Sequence, residues 1–165
     1  MSDEPADEPV EEIDADGRVL RVVARGEVRA GRLRHRAVFI AVLAHDGRIL
    51  IHQRSPLKDL WPSRWDVAAG GVVGVGERDD AAAARELGEE LGVGGTALER
   101  IGRAGYEDDE VALIGTVYRI VHDGPFRFAD GEVVAARWVT FEELDGLRRS
   151  ERFCPDSLAV VLPLL

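Results

Sequence analysis

The chain has 165 residues, of which 45% are hydrophobic and 32% charged, proportions typical of one globular domain with a real core. Its net charge of −10 argues against broad binding to nucleic acids or anionic membranes, and an anionic substrate would need local basic groups or a metal. Cys154 is the only cysteine, so no internal disulfide can form. The sequence shows no signal-like segment and no apolar run of membrane-spanning length, so a cytoplasmic location is expected.

The N-terminal part of the chain divides into a tail and a hairpin. Residues 1–12 are acidic and contain proline, which predicts a disordered tail, and residues 13–165 are expected to form a single domain. Residues 13–24 indicate a small β-hairpin with Asp16-Gly17 as its turn. Residues 25–34 are polar and predict a turn or a short helix.

Strands dominate the centre of the chain. The apolar run 37–44 predicts a buried strand, and Asp46-Gly47 turns it into a second strand over 48–54. A loop with two prolines covers 55–64 and precedes a short strand over 65–69. Residues 97–104 and 111–121 are expected to form paired strands, and 133–139 a further one.

Two helices are expected at the C-terminal end. Thr140 and Glu143 have the spacing of a capping box for a helix over residues 141–149. Asp156 is expected to cap a last helix reaching Leu165, although Pro163 would break its end.

Three carboxylates, those of Glu86, Glu89 and Glu90, stand at positions i, i+3 and i+4. With about 3.6 residues per helical turn they share one face, where like charges repel one another. A hard divalent cation would hold them together, because Mg²⁺ takes oxygen ligands and keeps waters and substrate phosphates in its shell. The spacing favours a metal site; the alternative is a solvated acidic helix face.

Apolar residues and glycines complete the predicted helix. Leu87, Leu91 and Ala84 are expected on the side opposite to the glutamates, packed against a sheet. Gly88 costs stability inside a helix and therefore indicates close packing at that point. Gly92 is well placed to end the helix in a left-handed turn.

The segment before the helix provides backbone freedom and an ion pair. Gly70 and Gly71 allow close approach of the main chain, so that a carbonyl can join a metal shell. Glu77 lies eight residues before Arg85, and a loop folding back onto the helix would pair them.

Taken together, these residues match every specified position of the Nudix box: Gly71, Glu77, Arg85-Glu86-Leu87, Glu89-Glu90 and Gly92-Val93. The chain therefore resembles a Nudix hydrolase. The resemblance implies an α+β fold, an α/β/α sandwich with a mixed central sheet, and hydrolysis of a diphosphate linkage with Mg²⁺ or Mn²⁺. The substrate would be a nucleoside di- or triphosphate or a nucleoside diphosphate derivative.

The resemblance also implies roles for the residues of the box. Glu86 and Glu90 would be the main metal ligands, with Glu89 a further ligand or a base. The carbonyl of Gly70 would complete the metal shell. Glu77 and Arg85 would form the ion pair that fixes the loop, with Gly71 and Gly92 as scaffold.

A second group of residues precedes the box, in the segment 52–66. Arg54 and Lys58 can hold phosphate oxygens, and the alternative is two surface cations on a loop. This region resembles the Nudix proteins close to type I isopentenyl diphosphate isomerase, where an arginine and a lysine at this spacing contact the substrate diphosphate. By the same resemblance His35 matches a metal-binding histidine, although a lone histidine before an apolar strand is more often structural.

The comparison with the isomerase also shows what the chain lacks. Gly70 and Val72 stand where the isomerases carry a catalytic cysteine and a metal-binding histidine. Glycine supplies neither the acid nor the base that proton transfer at an alkene needs, which argues against isomerase activity. A nucleotide-binding protein without turnover is the other alternative, and the complete set of box carboxylates argues against it.

The general base is left open by the sequence. Glu89 or Glu90 can act directly, or a loop residue can serve, the candidates being Glu107, Glu110 and Glu132. Trp61, Trp65 and Tyr106 are candidates for stacking on a base, or they fill core and loop packing instead. The expected partner is a small diphosphate, and a homodimer can form if the N-terminal hairpin adds a strand to a second copy.

Overall fold

The computed structural model describes residues 5–165 and begins with the expected hairpin. Strands β1 (Pro9–Ile13) and β2 (Val19–Ala24) pair in antiparallel fashion. The prediction of a disordered tail up to residue 12 is therefore wrong for residues 9–12, because Val10 is buried in a small apolar cluster with Val23 and Val28. Residues 1–4 of that predicted tail lie outside the described part of the chain.

A short helix and two strands follow the hairpin. Helix α1 (Arg25–Gly31) ends in a left-handed residue, and strands β3 (Arg34–Leu43) and β4 (Ile49–Arg54) form where the apolar runs predicted them. Strand β3 is buried on both faces, which explains why its sequence is a continuous apolar run and not an alternating one.

The predicted strand over residues 65–69 is in fact two short strands, β5 (Trp65–Asp66) and β6 (Ala69–Val72). The carboxylate of Asp66 accepts a hydrogen bond from the backbone N–H of Ala68 at 3.1 Å, which turns the chain between them. As a result β5 pairs with β4, whereas β6 pairs with β3.

The second half of the chain adds the long helix and the remaining strands. Helix α2 (Asp79–Leu91) is followed by β7 (Glu99–Glu107), β8 (Ala112–Val121) and β9 (Val133–Val139). Strands β7 and β8 pair as expected, although β7 continues to Glu107, three residues beyond its expected end at residue 104.

The C-terminal helices are α3 (Phe141–Ser150) and α4 (Pro155–Val161). Both reciprocal hydrogen bonds of the capping box between Thr140 and Glu143 are present. The expectation for the last helix is corrected, because its N-cap is Cys154 and Asp156 lies inside the first turn. After Val161 the chain tightens into a 3-10 turn that contains Pro163, since proline cannot continue the α-helical hydrogen bonds.

The strands β3 to β9 form one seven-stranded mixed sheet. Its order is β5-β4-β3-β8-β7, with β6 added to β3 and β9 to β4. Strands β3 and β8 are parallel, whereas the other named pairs in this sheet are antiparallel.

Each face of this sheet is covered by helices. On one face Val38, Ile40 and Val42 of β3 pack in a core with Leu87 and Leu91 of α2. On the other face alternate residues of β3 pack with residues of α3 and α4, among them Leu144 and Val160. The α/β/α sandwich with a small N-terminal hairpin is confirmed. Among the described residues, no helix combines the length and apolar character needed to cross a membrane.

Candidate active site

Helix α2 turns two of its three clustered carboxylates inward. Glu86 and Glu90 are 8% and 3% exposed, whereas the side chain of Glu89 is 52% exposed. The prediction that the apolar stripe lies opposite to the glutamates is wrong, because Leu87 and Leu91 are buried directly beside them. Ala84 is exposed, and Ala82 and Ala83 are buried in its place.

The two glycines of β6 give these carboxylates room. A Cβ atom on Gly71 would lie 2.4 Å from Oε1 of Glu86, and one on Gly70 would lie 2.0 Å from the carbonyl oxygen of Val38. Any side chain at either position would displace the Glu86 carboxylate or the backbone of β3. Glycine is required here for close approach, as the sequence indicated.

The ion pair expected between Glu77 and Arg85 is present. Nε and Nη2 of Arg85 donate to the two carboxylate oxygens of Glu77, both at 2.9 Å, in the bidentate geometry that arginine favours. The same guanidinium donates to Oε1 of Glu86 at 2.8 Å and to the carbonyl of Val72 at 3.3 Å. The pair therefore ties the loop to both α2 and β6, and it lowers the pKa of Glu77.

Burial dominates the electrostatics of the inward carboxylates. It raises the pKa of Glu86 to about 7, against the lowering effect of Arg85. The pKa of Glu90 is also raised well above its usual range, by burial first and then by the neighbouring Glu86. His52 lies below them, with Nε2 3.9 Å from Oε2 of Glu90, and burial lowers its pKa. Arg85 contacts Glu86 but offsets only part of the charge, so a deficit of positive charge remains where the two carboxylates are buried together.

That deficit fits a hard divalent cation. Within residues 5–165 no three acidic, histidine or cysteine side chains converge as a preformed metal cluster. Two buried carboxylates beside a glycine backbone are nevertheless enough for Mg²⁺, which usually binds one or two carboxylates and completes its shell with waters and substrate phosphates. Glu86 and Glu90 are the residues that could hold it.

The two predicted phosphate contacts differ in their surroundings. Nζ of Lys58 lies 3.3 Å from Oε1 of Glu132, and both side chains are largely buried. Arg54 instead donates two hydrogen bonds to the carbonyl of Leu60, at 3.2 and 2.9 Å, and lies 3.7 Å from Asp66. Arg54 therefore fastens the loop 55–64 that carries Lys58.

The three loop candidates for the general base differ in their contacts. Glu132 adjoins Lys58, and its charge acts on both Glu86 and Glu90. Glu107 is held in ion pairs with Arg32 at 2.8 Å and Arg34 at 3.0 Å. The backbone N–H of Glu110 donates to Asp108 in the turn after β7. Of the three, Glu132 is brought to the helix carboxylates by the described contacts.

The three aromatic candidates for stacking on a base also differ in their positions. Trp61 lines a cleft over the sheet face opposite to α2, with the guanidinium of Arg64 4.7 Å from its ring centre. Trp65 and Tyr106 pack against the apolar core of that face, and the hydroxyl of Tyr106 donates to Asp108 at 2.6 Å. Only Trp61 of these three lies on the cleft.

The same cleft collects residues that sequence reasoning did not assign to a site. These are Arg25, Arg29, Asp66 and Asp156, which line the cleft beside Gly70, Gly71 and His35, for which the sequence had already suggested roles. No spacing rule joins these segments. For His52 a signal existed, since alternation with the apolar Leu50 along β4 predicts the face covered by α2.

Comparison with known proteins agrees with this geometry. The family model described as NUDIX domain matches residues 33–157. The chain is 38% identical over 149 residues to the uncharacterized Nudix hydrolase YfcD of Salmonella typhi, covering 90% of this chain and 80% of that protein. A Nudix hydrolase of Streptomyces coelicolor is 34% identical over 156 residues, covering 93% and 86%. The chain belongs to the Nudix hydrolase family.

Solved structures share this fold. The crystal structure of DR0079 from Deinococcus radiodurans superimposes with a TM-score of 0.78 at 26% identity, covering 90% of this chain and 94% of that one. MutT from Methanosarcina mazei superimposes at 0.65 with 23% identity, covering 76% and 87%. The clustered glutamates of α2, the Glu77–Arg85 pair and Gly71 of β6 stand at the positions where the sequence matches the Nudix box.

Proposed function

We propose that this Nudix hydrolase cleaves a diphosphate linkage in a nucleoside di- or triphosphate or a nucleoside diphosphate derivative, and that it requires Mg²⁺, with Mn²⁺ as a substitute. The observation that carries the proposal is the buried pair Glu86 and Glu90 beside the glycine backbone of β6. Two carboxylates in a low-dielectric site favour a bound dication and the phosphates that accompany it.

Residue roles follow from the contacts. Glu86 and Glu90 hold the metal, with the Gly70 carbonyl and the more exposed Glu89 as further ligands. Lys58 binds a phosphate oxygen as a point charge. Arg54 holds the loop that presents Lys58 and lines the same cleft. It therefore supports phosphate binding indirectly, by fixing the position of Lys58.

When bound, the metal ion offsets the charge of the phosphates and favours deprotonation of the attacking water. Glu132 is the best-placed base, since it adjoins Lys58 and interacts with both metal-holding carboxylates. A substrate phosphate that pairs with Lys58 would release Glu132 to accept the proton. Glu89 is the alternative base, because its side chain is the exposed member of the cluster.

The structure adds a physical argument against isomerase chemistry. At Gly70, where the isomerases would carry cysteine, a Cβ atom would lie 2.0 Å from the backbone of β3. A side chain cannot be accommodated there without moving a central strand.

The test is hydrolysis of a panel of nucleotides with Mg²⁺, following the release of phosphate and of nucleoside monophosphate. We expect turnover of at least one diphosphate, and a loss on the order of 10²- to 10³-fold in kcat for Glu90→Gln, which keeps the shape but removes the charge. Chelation of the metal should abolish the activity. No turnover of any diphosphate would contradict the proposal, and rearranged product from isopentenyl diphosphate would support the isomerase.

A further inference from the structure

The cleft beyond β6 ends at α1, where two arginines lie one helical turn apart. Arg25 and Arg29 both line this cleft, which also contains Gly70, Gly71 and Lys58. A Cβ atom on Gly71 would lie 2.4 Å from Oε1 of Glu86, so the wall of this cleft adjoins a carboxylate of the box. Neither arginine belongs to the box or to the loop that presents Lys58.

A carboxylate of that loop fixes the position of both arginines. Oδ2 of Asp59 lies 2.9 Å from Nε of Arg29 and 3.8 Å from Nε of Arg25. Glu8 forms a second ion pair with Arg25 at 3.2 Å. Side chains held in this way lose little freedom when they bind a ligand, which favours affinity.

Arg29 keeps donors available on the cleft. Its Nε donates to Asp59, whereas within residues 5–165 its two terminal amino groups have no hydrogen-bond partner. Its side chain is 21% exposed, so a ligand in the cleft can reach it. A guanidinium with free terminal N–H groups matches a carboxylate or a phosphate in bidentate geometry.

The electrostatics of the neighbouring His35 agree with a cationic end of the cleft. Burial lowers the pKa of His35 to about 4, and Arg29 and Arg25 lower it as well. Nδ1 of His35 lies 3.2 Å from the carbonyl of Leu33, so the ring donates there as a neutral imidazole. The chain as a whole carries a net charge of −10, so a positive site has to be built locally.

We propose that Arg25 and Arg29 form a second anion-binding subsite, and that the preferred substrate is a diphosphate whose distal group carries its own carboxylate or phosphate. This inference rests on the proposed function, because it assumes that the diphosphate lies at Glu86, Glu90 and Lys58. The subsite selects among diphosphates by the charge of the distal group.

The test uses two pairs of compounds that differ by one anionic group. UDP-glucuronate and UDP-glucose differ by a carboxylate, and NADPH and NADH differ by a phosphate. We expect kcat/KM to favour the charged member of at least one pair by about 10- to 100-fold, the range for charge-assisted hydrogen bonds. Preference within the first pair would identify a carboxylate group, and within the second a phosphate group.

Three variants separate anion binding from loop support. Arg29→Gln should bring the charged-to-neutral ratio close to one. Asp59→Asn removes the carboxylate that fixes the loop but keeps both cations, so the preference for the charged member should persist. Arg149→Gln, an exposed arginine on α3 far along the chain, should leave the ratio unchanged. If Asp59→Asn and Arg29→Gln lower both members equally, the arginines only support the loop and the proposal is overturned.

Calorimetric titration keeps the subsite testable if catalysis fails. If no member of either pair is hydrolysed, the proposed function is in error for these compounds. The ratio of the dissociation constants of the charged and neutral members then decides whether the anion-binding subsite exists. The same preference in affinity, lost in Arg29→Gln, supports it. Equal affinities within both pairs, or no binding of any member, overturn it.

Discussion

Glu86 and Glu90 show how strongly the environment of a residue decides its chemistry. Both carboxylates are buried, and burial raises the pKa of each. Exposed Glu89, one residue away, is chemically identical but lies at the solvent side of the helix. A cation at the buried pair lowers the cost of holding two like charges in a low dielectric. The different roles proposed for the three glutamates therefore follow from their different degrees of burial.

His35 gives a prediction at the same scale, for the dependence of stability on pH. Its folded pKa is about 4, below the ordinary histidine value of 6.5, because it is buried. Between these values the unfolded chain binds more protons than the folded one, so stability falls as the pH is lowered from 6.5 to 4. We expect the wild type to lose about 1.4 kcal/mol per pH unit in this window relative to His35→Gln.

Urea denaturation of both proteins at several pH values between 7 and 4 measures this difference. The comparison with His35→Gln removes the contributions of the other titrating groups, which the two proteins share. Parallel curves of unfolding free energy against pH would mean that His35 is not buried as a neutral ring.

At the scale of elements, α2 presents a face that is both apolar and acidic. Its buried positions are Ala82, Ala83, Glu86, Leu87, Glu90 and Leu91, so the proposed metal ligands share one arc with the residues that pack on the sheet. The packing of Leu87 and Leu91 thereby fixes the orientation of the carboxylates. Sequence periodicity alone could not show this, because acidic residues are expected on the solvent side.

The glycines of α2 give the prediction at this scale. A Cβ atom at Gly88 would meet only the carbonyl of Val93, at 3.9 Å, so the close packing expected there is absent. Alanine in a helix interior is more stable than glycine, and Gly88→Ala should stabilise the fold by about 0.5–1 kcal/mol. Gly146→Ala in α3, where nothing lies within 4 Å, should have a similar effect.

Gly92→Ala is expected to have the opposite effect on stability and serves as the matched control. Gly92 has φ of 68°, and a Cβ atom would lie 2.7 Å from that of Arg127, so this substitution should destabilise the fold. Thermal unfolding of the three variants decides the matter. Stabilisation by Gly92→Ala, or destabilisation by Gly88→Ala, would contradict the described geometry of the helix.

At the scale of the whole molecule, the site is assembled from segments distant in the chain. Helix α1, the loop 55–64, β6 and the start of α4 all contribute to one cleft. Through Asp59 the loop is linked to Arg29, thirty residues away in sequence. Substrate selection is therefore expected to depend on contacts outside the Nudix box, to which binding of the diphosphate itself is assigned in the proposal.

The N-terminal hairpin gives the prediction about assembly. Val19, Leu20 and Val22 of β2 are 54%, 59% and 52% exposed, and among the described strands β2 pairs only with β1. An exposed apolar edge strand is a template for pairing with another chain. We expect two copies of the chain to pair along β2 and form a homodimer in solution.

Size-exclusion chromatography coupled to light scattering measures the molecular mass of the wild type and of Val22→Lys. This substitution places a charge on the exposed edge of β2. The variant should be a monomer with an unchanged circular dichroism spectrum, and Arg149→Gln should remain a dimer. A monomeric wild type at concentrations of about 100 μM would rule out this assembly as a stable one.

The sequence by itself determined the features that depend on short spacings. The three glutamates of α2, the pairing of Glu77 with Arg85, the capping box of α3 and the turns between strands follow from local geometry, because a helix or hairpin fixes which near neighbours meet. The match to the Nudix box rests on the same short spacings, and from it the family and the sandwich fold followed.

Only the tertiary structure decided which distant residues join this helix. It placed His52 beneath Glu90, paired Glu132 with Lys58, and directed Glu107 into ion pairs with arginines elsewhere. Such contacts depend on strand order, on register and on how the helices pack, which no spacing along the chain specifies. Strand β3 begins next to α1 and pairs with β6, and this arrangement brings the arginines of α1 to the cleft beside the box.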